Sequence, residues 1–254
     1  MRATGERVFT ARGGFRPQWQ RHVATYALAA PLLPAGRVLD LGCGIGHSYE
    51  RLAPRETVGV DLEPGVLRDQ ARETHAADMR ALPFAPGSFA SVLSVHSIEH
   101  VPDPARVLAE VVRVLEPGGV AVFATPNRLT FGRPDEIIDP YHHVEFDASQ
   151  LRALCAPWFE AVEVLGLFGS PRYMELFGEE RARLARLLRA DPLRLRRGVP
   201  RRVRQVLYDR LLARARRRPD PRAGAIEEDD FHLGTEGLDG ALDLLALCRG
   251  PTGA

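Results

Sequence analysis

Lysine is absent from this 254-residue chain, so all 34 basic side chains are arginine. The bias runs the whole length, and we read it as a coding effect rather than a property of any site. Cysteine is scarce. Cys43, Cys155 and Cys248 are widely spaced and odd in number, which argues against a disulfide framework or a zinc site and suits a reducing cytoplasm. No uninterrupted apolar run reaches about eighteen residues, which excludes a membrane-spanning helix. Residues 1–20 carry arginines but no apolar core of the secretory kind. The net charge is only +1, and a hydrophobic content of 45% is enough for a sizeable core.

A further absence lies inside the most informative segment. Val38-Leu39-Asp40-Leu41-Gly42-Cys43-Gly44-Ile45-Gly46, followed by Val58-Gly59-Val60-Asp61, reads as a buried parallel strand, a glycine turn, a crossover helix and a second strand ending in a carboxylate. An open α/β sheet binds a nucleoside in this way: backbone passes close beneath the ligand and an acid takes the ribose hydroxyls. The dinucleotide pattern G-x-G-x-x-G would need glycine at 47, where His47 stands. That difference turns the reading away from a hydride carrier. Cys43, inside the turn, reads as a small residue chosen for fit.

Periodicity and punctuation extend the same grammar. Residues 18–31 predict a helix with Val23, Tyr26, Ala27 and Ala30 on one face. Strands are expected at 37–41, 57–61, 75–78, 89–95, 120–124, 159–167 and 241–249. Helices are expected over 46–53, 65–73 and 149–156. Another follows Asp103-Pro104, where Asp103 is read as its cap and Val107, Leu108, Val111, Val112 and Leu115 recur at three and four. The exception is 170–235, an arginine-rich helical insertion. From Arg181 to Arg218 the acids are only Asp191 and Asp209. Its apolar positions, Leu184, Leu187, Leu188 and Val203, Val206, Leu207, Leu211, predict basic amphipathic helices broken at Pro192 and Pro200.

The order of motifs resembles the class I S-adenosylmethionine-dependent methyltransferases, over residues 20–168 and again at 241–249. Val38 to Gly46 looks like the family's first motif, with Asp40, Leu41, Gly42, Cys43, Gly44 and Gly46 around the donor, and Asp61, followed by Leu62, like its ribose-binding acid. Asp78-Met79 is similar to the adenine-binding pair. Ser94-Val95-His96-Ser97-Ile98-Glu99-His100-Val101 resembles the motif after strand four, and Leu115-Glu116-Pro117-Gly118-Gly119 the turn before strand five. The resemblance implies a single domain over 1–254. Its fold is a Rossmann-like, seven-stranded doubly wound α/β sheet, mostly parallel with an antiparallel last strand, and the 170–235 insertion precedes that strand. It also implies S-adenosyl-L-methionine as methyl donor, Ser94, Val95 and His96 near it, and a cytoplasmic enzyme with room for a homodimer. A helix N-terminus after Gly46 would favour the donor's carboxylate, and Asp40 would organise the glycine loop and the donor's ammonium. For each acid, strand-end solvation or capping is the plain alternative. His22 and Tyr26 either close over that carboxylate or form a packing face.

Methyl transfer asks mainly for alignment, which supplies about 7–11 kcal/mol of such a barrier. A hydroxyl acceptor must also lose its proton. His142, in Asp139-Pro140-Tyr141-His142-His143-Val144-Glu145-Phe146 after Thr125-Pro126-Asn127-Arg128, resembles an acceptor-side element of small-molecule members and is the first choice for general base. His143 is the second, and a loop histidine bonded to backbone is the alternative. For Glu99 and His100, packing or a surface pair stands level with a chemical role. Asp135, Glu136, Asp139, His142 and Glu145, oxygen-rich with one imidazole, would suit magnesium or manganese but fit no fixed metal motif, and solvated acids beside a proline turn are the favoured reading.

The sequence therefore points to O-methylation of a small-molecule hydroxyl, of sugar or natural-product type, with a weaker likeness to methylglucose-polysaccharide methyltransferases. Three readings of the insertion stand: a cap with its leucines packed on the core, a guanidinium surface for an anionic or glycosidic acceptor, or a nucleic-acid or membrane contact. Tyr208 alone lies among those arginines, which counts against base stacking. The acidic run 227–230 could neutralise them. The rivals are an RNA or protein methyltransferase and a nucleoside-binding module without catalysis.

Overall fold

Short, wholly buried runs of valine and leucine build the centre of the sheet, as expected for strands covered on both faces. The computed structural model describes residues 16–131, 137–189, 198–215 and 220–252. Its strands are β1 (Val38–Leu41), β2 (Thr57–Asp61), β3 (Glu73–Ala76), β4 (Phe89–Val95), β5 (Leu115–Pro126), β6 (Phe159–Gly169), β7 (Phe231–Gly234) and β8 (Asp243–Pro251). They form one sheet in the order β3-β2-β1-β4-β5-β8-β6-β7. The first five pair in parallel, and β8 runs antiparallel to both β5 and β6. The order runs outward from β1 through β2 to β3 and then restarts at β4 on the other side. This leaves a switch point at the carboxyl ends of β1 and β4, where ligands of open α/β sheets bind.

The helices are α1 (Arg16–Ala29), α2 (Pro64–Leu67), α3 (Pro104–Val114), α4 (Arg128–Phe131), α5 (Ala148–Cys155), α6 (Pro171–Arg189) and α7 (Arg201–Ala215). α3 buries Val107, Leu108, Val111, Val112 and Val114 in the same cluster as Leu39, Val58, Val92 and Phe123. Each such side chain contributes about 1.5–3 kcal/mol at most. Asp103 occupies the N-cap of α3 but makes no side-chain capping bond, so Pro104 at N1 sets the start. α5 opens on a capping box between Asp147 and Gln150.

Three expectations change. The sheet has eight strands rather than seven. The additional strand, β7, is four residues long and lies inside the insertion, too short for a period-two signal. The helix expected over 46–53 is only a 3-10 turn, Tyr49–Leu52, and that over 65–73 is the single turn of α2. Gly42, Gly44 and Gly46 all take left-handed φ, and the few residues left before Pro54 cannot repay helix nucleation. No α-helix N-terminus therefore follows Gly46.

The chain divides into two compact units. One comprises 22–137, 142–168 and 232–254 and contains β1–β5 and α2–α5. The other comprises 1–21, 138–141 and 169–231 and contains α6 and α7. In the second unit Asp230 is buried and receives Arg172 on both oxygens (2.5 and 2.6 Å) and the Ser170 hydroxyl. Arg201 donates to the Pro140 and Tyr141 carbonyls, and Tyr141 to Asp209. The acidic run pairs with Arg16 through Glu227 and with Arg172 through Asp230. Val203, Val206 and Leu207 of α7 are about half exposed, so they do not form the packed face expected of a cap. Asp191, Pro192, Asp135 and Glu136, and the side chains of Leu187, Leu188 and Leu211, lie outside what the structure describes.

Candidate functional site

The floor of the site is an ion pair that the sequence did not announce. Asp40, the third residue of β1, has no exposed surface. Its Oδ1 accepts from the Tyr26 hydroxyl at 2.7 Å and its Oδ2 from Arg72 at 2.7 Å. Arg72 lies over the Tyr49 ring at 4.2 Å and donates to Gln70 Oε1, while Gln70 Nε2 holds the Gly44 carbonyl at 2.8 Å. A Cβ at Gly59 would come within 2.9 Å of Arg72, so this strand glycine makes room for the guanidinium. Burial, then Asp40, raises the Tyr26 hydroxyl well above its ordinary value. The same two causes push the Cys43 thiol up to about 12, which leaves it protonated and inert. Tyr26 is thus structural, and Asp40 meets the glycine loop through Arg72 and Gln70.

Above this floor the loop is tightly drawn. Gly42 and Cys43 both donate to the Val60 carbonyl (2.8 and 2.9 Å). Gly42, at φ +77°, faces Ser97, whose Cβ would lie 2.4 Å from an added methyl. Ser97 in turn donates to the Leu41 carbonyl and shares a 2.5 Å bond with Ser94. Gly44, at φ +53°, is different: an added Cβ would meet nothing within 4 Å. Its space is open, as a cradle for a nucleoside requires.

Asp61 ends β2 nearly buried. Oδ2 accepts from Gly44 N at 3.0 Å and Oδ1 from Glu63 N at 2.9 Å. An ionised carboxylate can accept more than one hydrogen bond on each oxygen, a chemistry that suits a vicinal diol. Leu62 beside it is 70% exposed, available to cover a bound ring.

The remaining expected residues separate into lining and backing positions. Leu41, Asp40 and Ser94 have no accessible surface and Val95 very little, so they shape the site from behind. Met79 is partly buried, its methyl 3.4 Å from a Cβ built on Gly42. Asp78 is gripped by Arg80 through both oxygens (2.6–3.2 Å), which holds its carboxyl below the ordinary range. His96, at the end of β4, takes φ +50°, rare for a residue with a side chain. Its Nε2 lies 3.0 Å from buried Asp243, and its ring 4.4 Å from that of His22. His22 also faces His47 at 5.7 Å, and burial lowers His47 to about 4.

A second polar group stands beyond the ends of β4 and β5. His142 Nδ1 lies 2.9 Å from Glu145 Oε1, both side chains being buried. The segment is pinned to the turn after β4: His143 N and Val144 N donate to the Glu99 carbonyl at 2.7 and 3.3 Å. Phe146 bridges to Asn127 at the end of β5. His100 packs edge-on against His142 at 5.1 Å. Glu99 is 1% exposed. The sequence left Glu99 between a chemical role and packing or a surface pair, because nothing in a local pattern marks a carboxylate as buried. His143 points away, exposed, into a cleft of about 600 Å³ that Arg128, Phe146 and Gln150 also line. Asp139, once grouped with these residues, is buried in the other unit and accepts from Tyr141 N.

Comparison with known proteins agrees with this layout. Residues 39–123 match a family model described as a methyltransferase domain. A protein of Mycobacterium tuberculosis named as a probable S-adenosylmethionine-dependent methyltransferase is 34% identical over 183 residues, which is 68% of this chain and 66% of that protein. A ubiquinone biosynthesis O-methyltransferase of Hahella chejuensis is 40% identical over 113 residues, 38% of this chain and 45% of its own length. The chain thus spans just under two thirds of the first relative and under half of the second. Among solved structures, an S-adenosylmethionine-dependent methyltransferase from Thermotoga maritima superposes with a TM-score of 0.59 at 19% identity, over 92% of this chain and 94% of the other.

Proposed function

We propose that this chain, which belongs to the class I S-adenosylmethionine-dependent methyltransferases, methylates an oxygen of a small hydroxylated acceptor. When bound, S-adenosylmethionine supplies a methyl carbon already activated on a sulfonium. Gly44 leaves the space for its nucleoside, Asp61 accepts its ribose hydroxyls, and Leu62 and Met79 flank its base. Asp78 reaches the base amine only by sharing its oxygens with Arg80. His96 and His22 stand on the side nearer the methionine portion.

The observation that carries the oxygen assignment is the buried His142–Glu145 pair. Glu145 fixes the proton on Nδ1, so Nε2 is the ring nitrogen that carries the lone pair and takes a hydroxyl proton as the methyl transfers. An amine acceptor would not need such a base once neutral. The Hahella relative carries O-methyltransferase in its name, which favours the same atom. Nucleic acid is a poor fit as acceptor: Tyr208 is the single aromatic among the arginines of 181–218, and Arg201 is committed to backbone carbonyls. A sugar-type or natural-product hydroxyl remains our reading of the acceptor.

The test is a screen of hydroxylated acceptors with wild type and His142→Gln. We expect kcat to fall by about 10²–10⁴ in the variant, with donor affinity unchanged. Full turnover in the variant across pH would make His142 structural.

A further inference from the structure

We infer that Glu99, His100 and His142 form a binding site for a divalent transition-metal ion of the zinc type. One ligand atom from each residue lies within 4.8 Å of the other two. Donors on a zinc ion sit about 3.3 Å apart at ordinary bond lengths, so small rotamer shifts close the set. The donor chemistry, two imidazoles and a carboxylate, suits zinc, manganese or ferrous iron and leaves positions open.

A second observation points to a cation. Glu99 Oε2 accepts from Thr125 Oγ1 at 3.1 Å, but Glu99 Oε1 is buried without a hydrogen-bond partner. An unmatched buried carboxylate oxygen is costly, and a metal ion is one of few groups that can satisfy it. The support around the donors fits too. With Glu145 on Nδ1 of His142, Nε2 is the nitrogen left for an ion, as in the carboxylate–histidine–metal arrangement. Glu99 and His100 adjoin in one 3-10 turn, Ile98–His100, and the backbone bonds of His143 and Val144 to Glu99 lock the two segments together.

The inference rests on the methyl-transfer reading and changes one detail of it: the His142 Nε2 lone pair goes to the ion instead of the proton. An acceptor hydroxyl in an open position would lose its proton to solvent. Its oxygen would then form the new C–O bond as the C–S bond breaks, and the sulfonium becomes a neutral thioether.

The full chain, stripped with chelator, is titrated calorimetrically with Zn²⁺ and with Mn²⁺, and separately with S-adenosylmethionine. We expect one ion per chain. Glu99→Gln, His100→Ala and His142→Ala should each weaken binding at least about a hundredfold, Glu145→Gln about 10–100-fold, and His232→Ala not at all. Equal affinity across all of these proteins overturns the site. If the variants unfold, the visible spectrum of Co²⁺-loaded wild type decides: stoichiometric four- or five-coordinate bands support the site, and their absence overturns it. Donor binding without metal binding sinks this inference alone and leaves His142 as base, whereas failure to bind the donor sinks the methyl-transfer reading itself.

Discussion

Arg72 carries more of the site than any residue the motifs named. It neutralises the fully buried Asp40 and stacks on Tyr49, and through Gln70 it steadies the Gly44 carbonyl. Removing one partner of such a pair leaves an uncompensated buried charge, so Arg72→Ala should cost about 3–5 kcal/mol in chemical denaturation. Adding Asp40→Asn should restore part of that loss. A loss below about 1 kcal/mol would mean that the pair is solvated and that the floor is held otherwise. His47 makes a prediction about pH. Burial lowers it from 6.5 to about 4, so the unfolded chain binds its proton first as pH falls. Its contribution is complete above pH 6.5 and is lost as pH drops toward 4, by up to about 3 kcal/mol. His47→Gln should flatten the stability curve in that window; parallel curves for the two proteins would contradict it.

At the scale of the element, the loop after β1 separates two kinds of glycine. Gly42 needs both its left-handed φ and its lack of a side chain, because Ser97 occupies the space. Gly44 needs its φ of +53°, yet a methyl there meets only open space. Gly42→Ala should therefore lower Tm sharply. Gly44→Ala should cost only about 1 kcal/mol while weakening donor binding by tenfold or more, as thermal melts and calorimetry would show. The reverse pattern would mean that the open space belongs to something other than the donor.

The elements also show what was legible before any coordinates. β2 and β4 match their predicted bounds because each is a short run centred on valine and leucine whose residues are all buried. The predicted helix at 46–53 fails because the positive φ of Gly42, Gly44 and Gly46 leaves too few residues before Pro54, and that at 65–73 stops after one turn. Acids at strand ends can be read from the sequence, so Asp61 was found. Arg72 and Tyr26 could not be, since their partner Asp40 lies 32 and 14 residues away and no local pattern encodes that contact. Glu99 was named, but its role stayed open for the same reason.

For the molecule as a whole, strand order does the organising. Restarting the sheet at β4 beside β1 brings the glycine loop, Asp61 and His96 to one end of the parallel strands. It also sets the Glu99–His142 group beyond β4 and β5, so that donor and acceptor sides share one edge. The central claim is that this edge binds S-adenosylmethionine through Asp61. Titrating the donor calorimetrically into wild type and Asp61→Ala tests it most directly. We predict one site per chain in wild type and at least about tenfold weaker binding in the variant, the loss of a single charge-assisted hydrogen bond or more. Equal affinity in the two proteins, or no binding by wild type, would contradict the account.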